Sequence, residues 1–425
     1  MIRLSSILPE SNNKARWLHL TTTLLFLALF AFPLFPFAVT NLILILVFFL
    51  TLIIYFIRPV PIGKKLLLNS IYIIPFIPYL LEFFISGFDP VAGFELEKKL
   101  FFFTAPLVLP LFLEVTKFSN YKLPMMIFSF SMTALAIYSV AALFIENSMF
   151  EPQAYENGAY LLRDRFQNYC GIHPTYFSIF AICAASFLCF KPVYKNKGFR
   201  IITIISACFL FAVVILLAVR ASIFILAAFA VAWIVFKKFP LLKKTLLIIT
   251  SLLLLVILTF SIPSLNKRFG EITSWISGNT DYNNTLSQRE IITSCSLKVF
   301  SKNILSGTGS KNFQQELNNC YRDKGWPICV ERNYNPHNQF LSIGINYGIF
   351  FMLLFIACLY FIFRKVIHHP EARYYTIAII IIFFSESFLE RQMGVYFFGL
   401  FSLLFYNINM QKSILSINWT PSVFI

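Results

Sequence analysis

The stretch TNLILILVFFLTLIIYFI, residues 40–57, holds eighteen consecutive residues without a charged side chain. An α-helix rises about 1.5 Å per residue, so this one would nearly cross the roughly 30 Å hydrocarbon core of a bilayer. Similar apolar runs recur along the chain, which predicts an all-α polytopic membrane protein. About twelve transmembrane helices are predicted, at 17–38, 40–57, 66–86, 100–116, 124–145, 172–190, 200–218, 222–236, 245–262, 338–363, 374–389 and 393–409.

The composition of the chain agrees with this class. Of 425 residues, 58% are hydrophobic and 13% are charged, and the mean hydropathy is +0.74. A typical soluble domain is about 25% charged. The composition therefore excludes a soluble globular domain, a disordered chain and a nucleic-acid-binding domain. The formal net charge of +16 is expected to reflect basic residues sorted by membrane side.

The lysines and arginines do follow such a pattern. Twenty of the 35 fall in segments on the side of the N-terminus, six in short segments opposite, and nine in one long loop. The positive-inside rule then puts both termini in the cytoplasm. Three parts are predicted: residues 1–262, with helices 1–9 and a shorter outer loop near 146–171; residues 263–337, a long helical outer loop; and residues 338–425, with helices 10–12. The chain has no nucleotide-binding motif, so we expect its function at the outer face, without ATP.

The most informative outer string is Asn335-Pro336-His337-Asn338-Gln339-Phe340-Leu341, which opens the tenth predicted helix. Asn335 suits the N-cap and Pro336 the first helical position, so His337 is expected in the first turn. The positive end of the helix dipole favours a neutral imidazole there, and a neutral imidazole can act as a general base. The alternative is a polar histidine that only anchors a helix at the headgroup level.

A second candidate is Arg289, in the string Leu286-Ser287-Gln288-Arg289-Glu290. Ser287 and Glu290 fit a capping box, and the apolar pattern Ile291, Ile292, Cys295 and Val299 follows. Arg289 would then lie beside free N-terminal amides, an arrangement suited to phosphate oxygens. The alternative is an ordinary solvated arginine on an amphipathic helix.

A third candidate is Arg220, between the seventh and eighth predicted helices. An arginine bounded by apolar helices needs a partner or a cavity, unless it snorkels to the interface. His337, Arg289 and Arg220 are thus all expected on one membrane face. Three cationic or basic groups there indicate an anionic, membrane-borne substrate such as a phosphate or diphosphate lipid.

Further outer-side or intramembrane polar residues could support such a site or be structural. Glu82 and Glu386 could relay protons, bind cations, or pair with Arg220 or Arg391. Cys320 and Cys329 could form a disulfide in an oxidising compartment. No zinc-type spacing occurs, so no metal is expected. The possible supporting residues are Asn338, Arg163, Arg165 and His173.

These residues together resemble the O-antigen ligase and O-antigen polymerase family of bacterial envelope glycosyltransferases. His337-Asn338 is followed, after nine residues, by Gly348, as in the family's last long outer loop. Phe351 stands where the family has Gly, Thr or Tyr.

The same resemblance extends upstream. Arg289 precedes the stretch Gly307-Thr308-Gly309 and the aromatic Phe313, as the family pattern asks, while Thr293 replaces the Leu of the ligase pattern. Val219-Arg220-Ala221 keeps the arginine of the family's Ser-Arg-Gly-like turn.

The resemblance implies a C-type glycosyltransferase fold in the bacterial inner membrane, with an active site facing the periplasm. It implies a glycan on undecaprenyl diphosphate as donor, no cofactor, and inversion without a metal. The acceptor would be the lipid A core for a ligase, or another lipid-linked repeat for a polymerase. His337 would take the acceptor's proton or position the acceptor, and Arg289 and Arg220 would hold the diphosphate.

Other functions remain open at this stage. A secondary transporter or lipid-linked glycan flippase also has about twelve helices, with Glu82 and Glu386 as coupling groups. A non-catalytic scaffold for envelope assembly and transfer of the glycan onto a protein are further alternatives.

Overall fold

The apolar stretch at residues 40–57 forms one uninterrupted helix, Phe37–Ile57, of 21 residues. The computed structural model describes residues 13–149, 151, 156–189, 197–237, 239–247, 249–250 and 285–417, and isolated positions at 253, 266, 270 and 276–277. Every regular element with bounds in this part of the chain is a helix, which confirms the all-α class. The α-helices are α1 Asn13–Ala28, α2 Phe37–Ile57, α3 Gly63–Asn69, α4 Ile77–Ile85, α5 Pro90–Lys99, α6 Phe101–Thr116, α7 Lys122–Ile145, α8 Glu156–Cys170, α9 Pro174–Cys189, α10 Lys197–Leu217, α11 Arg220–Phe236, α12 Thr285–Lys302, α13 Gly309–Asp323, α14 Pro327–Glu331, α15 Gln339–Val366, α16 Pro370–Ser385 and α17 Gln392–Ile417. Short 3-10 helices cover Leu29–Leu34, Ser70–Phe76 and Phe388–Glu390.

Seven helical segments among the described residues are long and apolar enough to cross a membrane. An eighth is a bent pair, Tyr160–Cys170 with Pro174–Cys189, whose two helices meet at 72°. Two shorter apolar helices, Arg220–Phe236 and Gln392–Ile408, match the predicted spans 222–236 and 393–409. Most of the predicted span 245–262 lies outside the described residues, so the count of twelve stays a prediction. The seven segments are Arg16–Leu34, Phe37–Ile57, Gly63–Ile85, Pro90–Thr116, Lys122–Ile145, Lys197–Leu217 and Gln339–Val366.

The chain folds into two compact units. The first consists of Met1–Ser131, Leu353–Arg373 and Leu389–Ile425, and the second of Met132–Met352 and Tyr374–Phe388. In the first unit, stacked phenylalanines such as Phe26 and Phe112, with ring centroids 4.0 Å apart, fill the spaces between helices.

The second unit contains the described part of the loop predicted to lie on the outer side, and this part forms helices α12, α13 and α14. Apolar side chains of these helices share a small core, and a disulfide joins Cys295 on α12 to Cys320 on α13, with Cα atoms 5.7 Å apart. The sequence suggested Cys329 as the partner of Cys320, and the structure shows Cys295 in that role instead. Cys329 is a free thiol in the same core, and burial raises its pKa to about 11. It therefore stays protonated and does not attack the disulfide at neutral pH.

Replacing Cys295 by serine should loosen the packing of α12 on α13. The bond closes a loop with a sequence separation of 25 residues. Removing a disulfide that closes a loop of this size lowers the free energy of unfolding by about 3 kcal/mol. We expect faster limited proteolysis within 285–331. Cys208→Ser, at an exposed free cysteine, is the control and should leave the cleavage rate unchanged. Equal cleavage of both variants would show that the bond does not stabilise the loop.

Two glycines of the second unit allow the outer loop to pack against a break in α15. Gly348, with φ +82° and ψ 177°, interrupts the helix. The N–H of Ile349 donates to the Ile304 carbonyl at 2.7 Å, and that of Thr308 to the Ile345 carbonyl at 2.7 Å. A Cβ on Gly307 would lie 2.2 Å from the Asn346 carbonyl oxygen. The loop after α12 therefore meets α15 at the break that Gly348 makes.

Candidate active site

His337 lies just ahead of α15 rather than in its first turn. The helix begins at Gln339, and His337 has the left-handed φ of +46°. The N-cap is Asn338, whose Oδ1 accepts from the Leu341 N–H at 3.0 Å. Asn335, the predicted N-cap, instead accepts from the His337 N–H at 2.9 Å. The helix start was therefore predicted wrongly, and His337 is held by a turn.

The imidazole of His337 contacts a buried carboxylate. Helix α16 ends at Ser385, and the next residue, Glu386, has only 9% of its surface exposed. His337 Nδ1 is 2.7 Å from Glu386 Oε2, and Arg289 Nη2 donates to Glu386 Oε1 at 3.0 Å. One carboxylate thus joins the two candidates the sequence singled out, 48 positions apart. Its partners are Arg289 and His337, where the sequence suggested Arg220 or Arg391.

The charge of this carboxylate fixes the chemistry of the imidazole. Arg289 donates to Glu386 Oε1, and the positive charge of the guanidinium favours the ionised form of this carboxylate. An ionised carboxylate only accepts hydrogen bonds, so the proton of the neutral imidazole lies on Nδ1. Nε2 is then the acceptor nitrogen, and this is the tautomer a general base needs.

Arg289 is anchored on one side and open on the other. Its Nη1 donates to the Ser385 carbonyl at 3.3 Å, next to the bond with Glu386, yet 42% of its side chain is exposed. The predicted capping box is wrong, because α12 already includes Thr285 and Ser287 lies inside the helix. Arg289 is therefore oriented by the turn after α16 and not by free helix amides.

Tyr176, in the first turn of α9, supports the turn that carries Glu386, and His173 lies just before that helix. The Tyr176 hydroxyl donates to the Phe388 carbonyl at 3.1 Å, and its ring stacks on Phe388 with centroids 4.9 Å apart. His173 Nδ1 accepts from the Thr175 N–H at 3.4 Å. His173, a supporting candidate, also lies near enough to Glu386 to interact with it electrostatically, whereas no local pattern pointed to Tyr176.

The other predicted site residues occupy separate positions in the second unit. Asn338 Nδ2 donates to the Phe384 carbonyl at 3.2 Å and so ties the start of α15 to the end of α16. Arg165 pairs with Glu151 at 2.9 Å, and Arg163 is half-buried on α8. Arg220 is the half-buried first residue of α11. The Arg289–Glu386–His337 contacts are made without these three arginines.

Among the residues that the structure describes, no three His, Cys, Asp or Glu side chains are placed to hold a metal ion. The cationic side of the site is supplied by Arg289, and its anionic side by Glu386. The sequence named Glu386 as a polar residue near a span end but not as a site residue. Its partners lie 97 and 49 positions away, a separation that no local motif reveals.

Comparison with known proteins agrees with these motifs. Residues 205–356 match the model of a protein family described as O-antigen ligase. The matched segment contains Arg220, Arg289, His337 and Gly348, and ends before Glu386. No curated protein matches the chain significantly.

Proposed function

We propose that this multi-pass membrane protein, which matches the O-antigen ligase family model over residues 205–356, transfers a glycan from undecaprenyl diphosphate to a sugar hydroxyl of the lipid A core. The observation that carries the proposal is the contact of one buried carboxylate, Glu386, with both His337 and Arg289. A proton acceptor and an exposed cation held side by side suit attack by a hydroxyl on a sugar whose leaving group is a diphosphate.

In the proposed mechanism, His337 Nε2 accepts the proton of the acceptor hydroxyl. The oxygen attacks the anomeric carbon, and the bond from that carbon to the diphosphate oxygen breaks with its electron pair. Glu386 stabilises the imidazolium that forms. A single displacement inverts the anomeric centre.

The leaving diphosphate carries the developing negative charge. Arg289 and Arg220 are proposed to bind it, and two guanidinium groups can balance this charge without a metal. The exposed edge of Arg289, held in place by Glu386 and the Ser385 carbonyl, supports this role. For Arg220, the support is its place in the family's motif.

The proposed location is the bacterial inner membrane, with both termini in the cytoplasm and the site facing the periplasm. The support is the lysine and arginine distribution described above. A donor of this kind is anchored in the membrane, and a site carried by an outer loop and the helix ends beside it would meet its diphosphate at the interface.

A second candidate function is polymerisation, in which another lipid-linked repeat is the acceptor. Thr293, in place of the ligase Leu, is the observation that favours it. The chemistry at His337 would be the same, because either acceptor supplies a sugar hydroxyl.

Reconstitution with a purified donor tests both functions. The chain in proteoliposomes receives the lipid-diphosphate glycan with or without lipid A core, and the products are separated by mass. Glycan on lipid A core supports the ligase, and longer lipid-linked glycans formed without that acceptor support the polymerase. Donor flipping with no transfer to any acceptor, a protein acceptor included, would overturn both in favour of a flippase.

His337→Ala should lower transfer about a thousandfold, because general-base catalysis contributes between about 10² and 10⁴. The matched control is His368→Ala, at an exposed histidine between α15 and α16, which should transfer at the wild-type rate. Wild-type transfer by His337→Ala would remove the catalytic role.

Arg289→Lys keeps the charge but loses the planar fork that binds Glu386 and the Ser385 carbonyl together. We expect transfer to fall about 10-fold to 100-fold, the effect of one or two charge-assisted hydrogen bonds. Steady-state kinetics with varied donor measures it. Arg322→Lys, at an exposed arginine on α13, is the control. Equal kinetics of the two variants would contradict a role for Arg289 at the diphosphate.

A further inference from the structure

The outer loops bring a second cluster of side chains next to His337, which we call the tyrosine–amide surface. Tyr334 links this surface to the site. Its ring centroid is 5.7 Å from that of His337, in an edge-to-face arrangement. Its hydroxyl donates toward Gln288 Oε1 at 3.4 Å, and Gln288 is the neighbour of Arg289 in α12. The surface consists of Tyr160, Gln314, Asn318, Arg332, Asn333 and Tyr334.

Arg332 connects two separate outer segments. Its Nη1 donates to the Tyr334 hydroxyl at 3.1 Å, and its guanidinium carbon lies 5.8 Å from the ring centroid of Tyr160 on α8. Arg332 is exposed, and 53% of Tyr160 is exposed. A guanidinium and an aromatic ring are therefore exposed side by side, and Tyr334 links the guanidinium to the proposed base.

The amides extend the surface along α13. Gln314 Nε2 donates to Asn318 Oδ1 at 3.0 Å and to the Tyr334 carbonyl at 3.3 Å. Asn318 Nδ2 donates to Asn333 Oδ1 at 2.8 Å. These contacts orient the amides before any ligand arrives, which lowers the entropy cost of binding. Asn333 is exposed, so its own amide group lies at the outer edge of the surface.

A sugar ring offers an apolar C–H face and a rim of neighbouring hydroxyl groups. Tyrosine rings can cover the first, and planar side chains with adjacent donors and acceptors, such as Arg and Asn, match the second. Several such groups converging beside a reactive centre form the usual anatomy of a ligand subsite.

We propose that the tyrosine–amide surface is a glycan subsite, which binds a sugar ring of the substrate beside the hydroxyl that reacts at His337. This inference rests on the proposed function, since it assumes a glycan substrate. The acceptor glycan and the donor glycan share this chemistry, and the experiment separates them.

Binding of free oligosaccharides tests the subsite without turnover. The full chain in nanodiscs is titrated, in the absence of donor lipid, with lipid-free core oligosaccharide and with lipid-free repeat-unit oligosaccharide, and saturation-transfer NMR gives each Kd. We expect Arg332→Gln and Tyr334→Phe to weaken the Kd of at least one probe about 3-fold to 10-fold, the effect of one or two hydrogen bonds. Weaker binding of the core oligosaccharide would assign the surface to the acceptor, and weaker binding of the repeat unit would assign it to the donor.

The control is Lys298→Gln, which removes one positive charge from α12, where Lys298 lies 3.9 Å from Asp323, and it should leave both Kd values unchanged. The inference is overturned if the wild type binds neither probe, or if Arg332→Gln, Tyr334→Phe and Tyr160→Ala all bind both probes as the wild type does. Glycan transfer by His337 would still stand in that case. Intact probe binding without any transfer would instead overturn the proposed function alone.

Discussion

Glu386→Gln should reduce glycan transfer about a thousandfold while leaving the protein folded. The substitution keeps the size of the side chain but removes the charge that holds His337 and Arg289 together. The glutamine NH₂ group can donate to Nδ1, which favours the imidazole tautomer that carries its proton on Nε2. Nε2 then no longer accepts the proton of the acceptor hydroxyl, and losses of about 10² to 10⁴ are typical when general-base catalysis fails. Initial transfer rates at saturating donor measure the effect, which should appear in kcat.

Glu82→Gln is the matched control for this variant. Glu82, on α4, is the other carboxylate that the sequence singled out near a span end, and its neutralisation should leave transfer unchanged. The double variant Glu386→Gln/His337→Ala should lose much less than the product of the two single losses, because Glu386 and His337 act as a unit. Additive losses, or wild-type transfer by Glu386→Gln, would contradict the assignment.

Gly348→Ala should have the largest effect on folding. The backbone at φ +82° and ψ 177° belongs to a region that only glycine occupies readily, at a cost of about 1–3 kcal/mol for other residues. The new Cβ would also lie 2.1 Å from the Leu305 carbonyl oxygen, and such overpacking adds about 1–3 kcal/mol. We expect a large drop in thermal stability in detergent, with a loss of transfer, because the loop after α12 would no longer reach the break in α15.

Gly325→Ala separates the effect of backbone strain from the effect of overpacking. Gly325 lies in the same outer loop with φ +71°, but a Cβ there has no atom within 4 Å. This substitution should add only backbone strain. The thermal stability of Gly325→Ala should therefore fall between those of the wild type and Gly348→Ala. Equal stability of the two variants would mean that the close approach to Leu305 does not matter.

The membrane architecture was predictable from the sequence, because hydrophobic length is a local property. Helix starts were harder to predict. Asn335 and Asn338 are both good caps, and the turn that uses Asn335 leaves Asn338 to cap α15. The disulfide partner was missed for a related reason. In the sequence, Cys295 is only one residue of the apolar pattern of a helix. Its pairing with Cys320 depends on how α12 packs on α13.

Within the candidate site, His337 and Arg289 were singled out because each belongs to a recognisable local string. Glu386 joins them only through the fold, since it comes from a turn after α16. The hydroxyl of Tyr176, which supports that turn, donates to backbone carbonyls, and every residue carries such a carbonyl. Such contacts leave no trace in a single sequence.

The Cys295–Cys320 bond also bears on where the outer loop resides in the cell. Bonds of this kind persist where thiols are oxidised and are rare in the reducing cytosol. The bond therefore supports, by independent chemistry, the membrane side proposed from the lysine and arginine distribution. Since α12 carries both Cys295 and Arg289, the helix with the arginine proposed to bind the diphosphate would be fixed to α13 only after export, so newly made protein would mature into its active form once its loop had crossed the membrane.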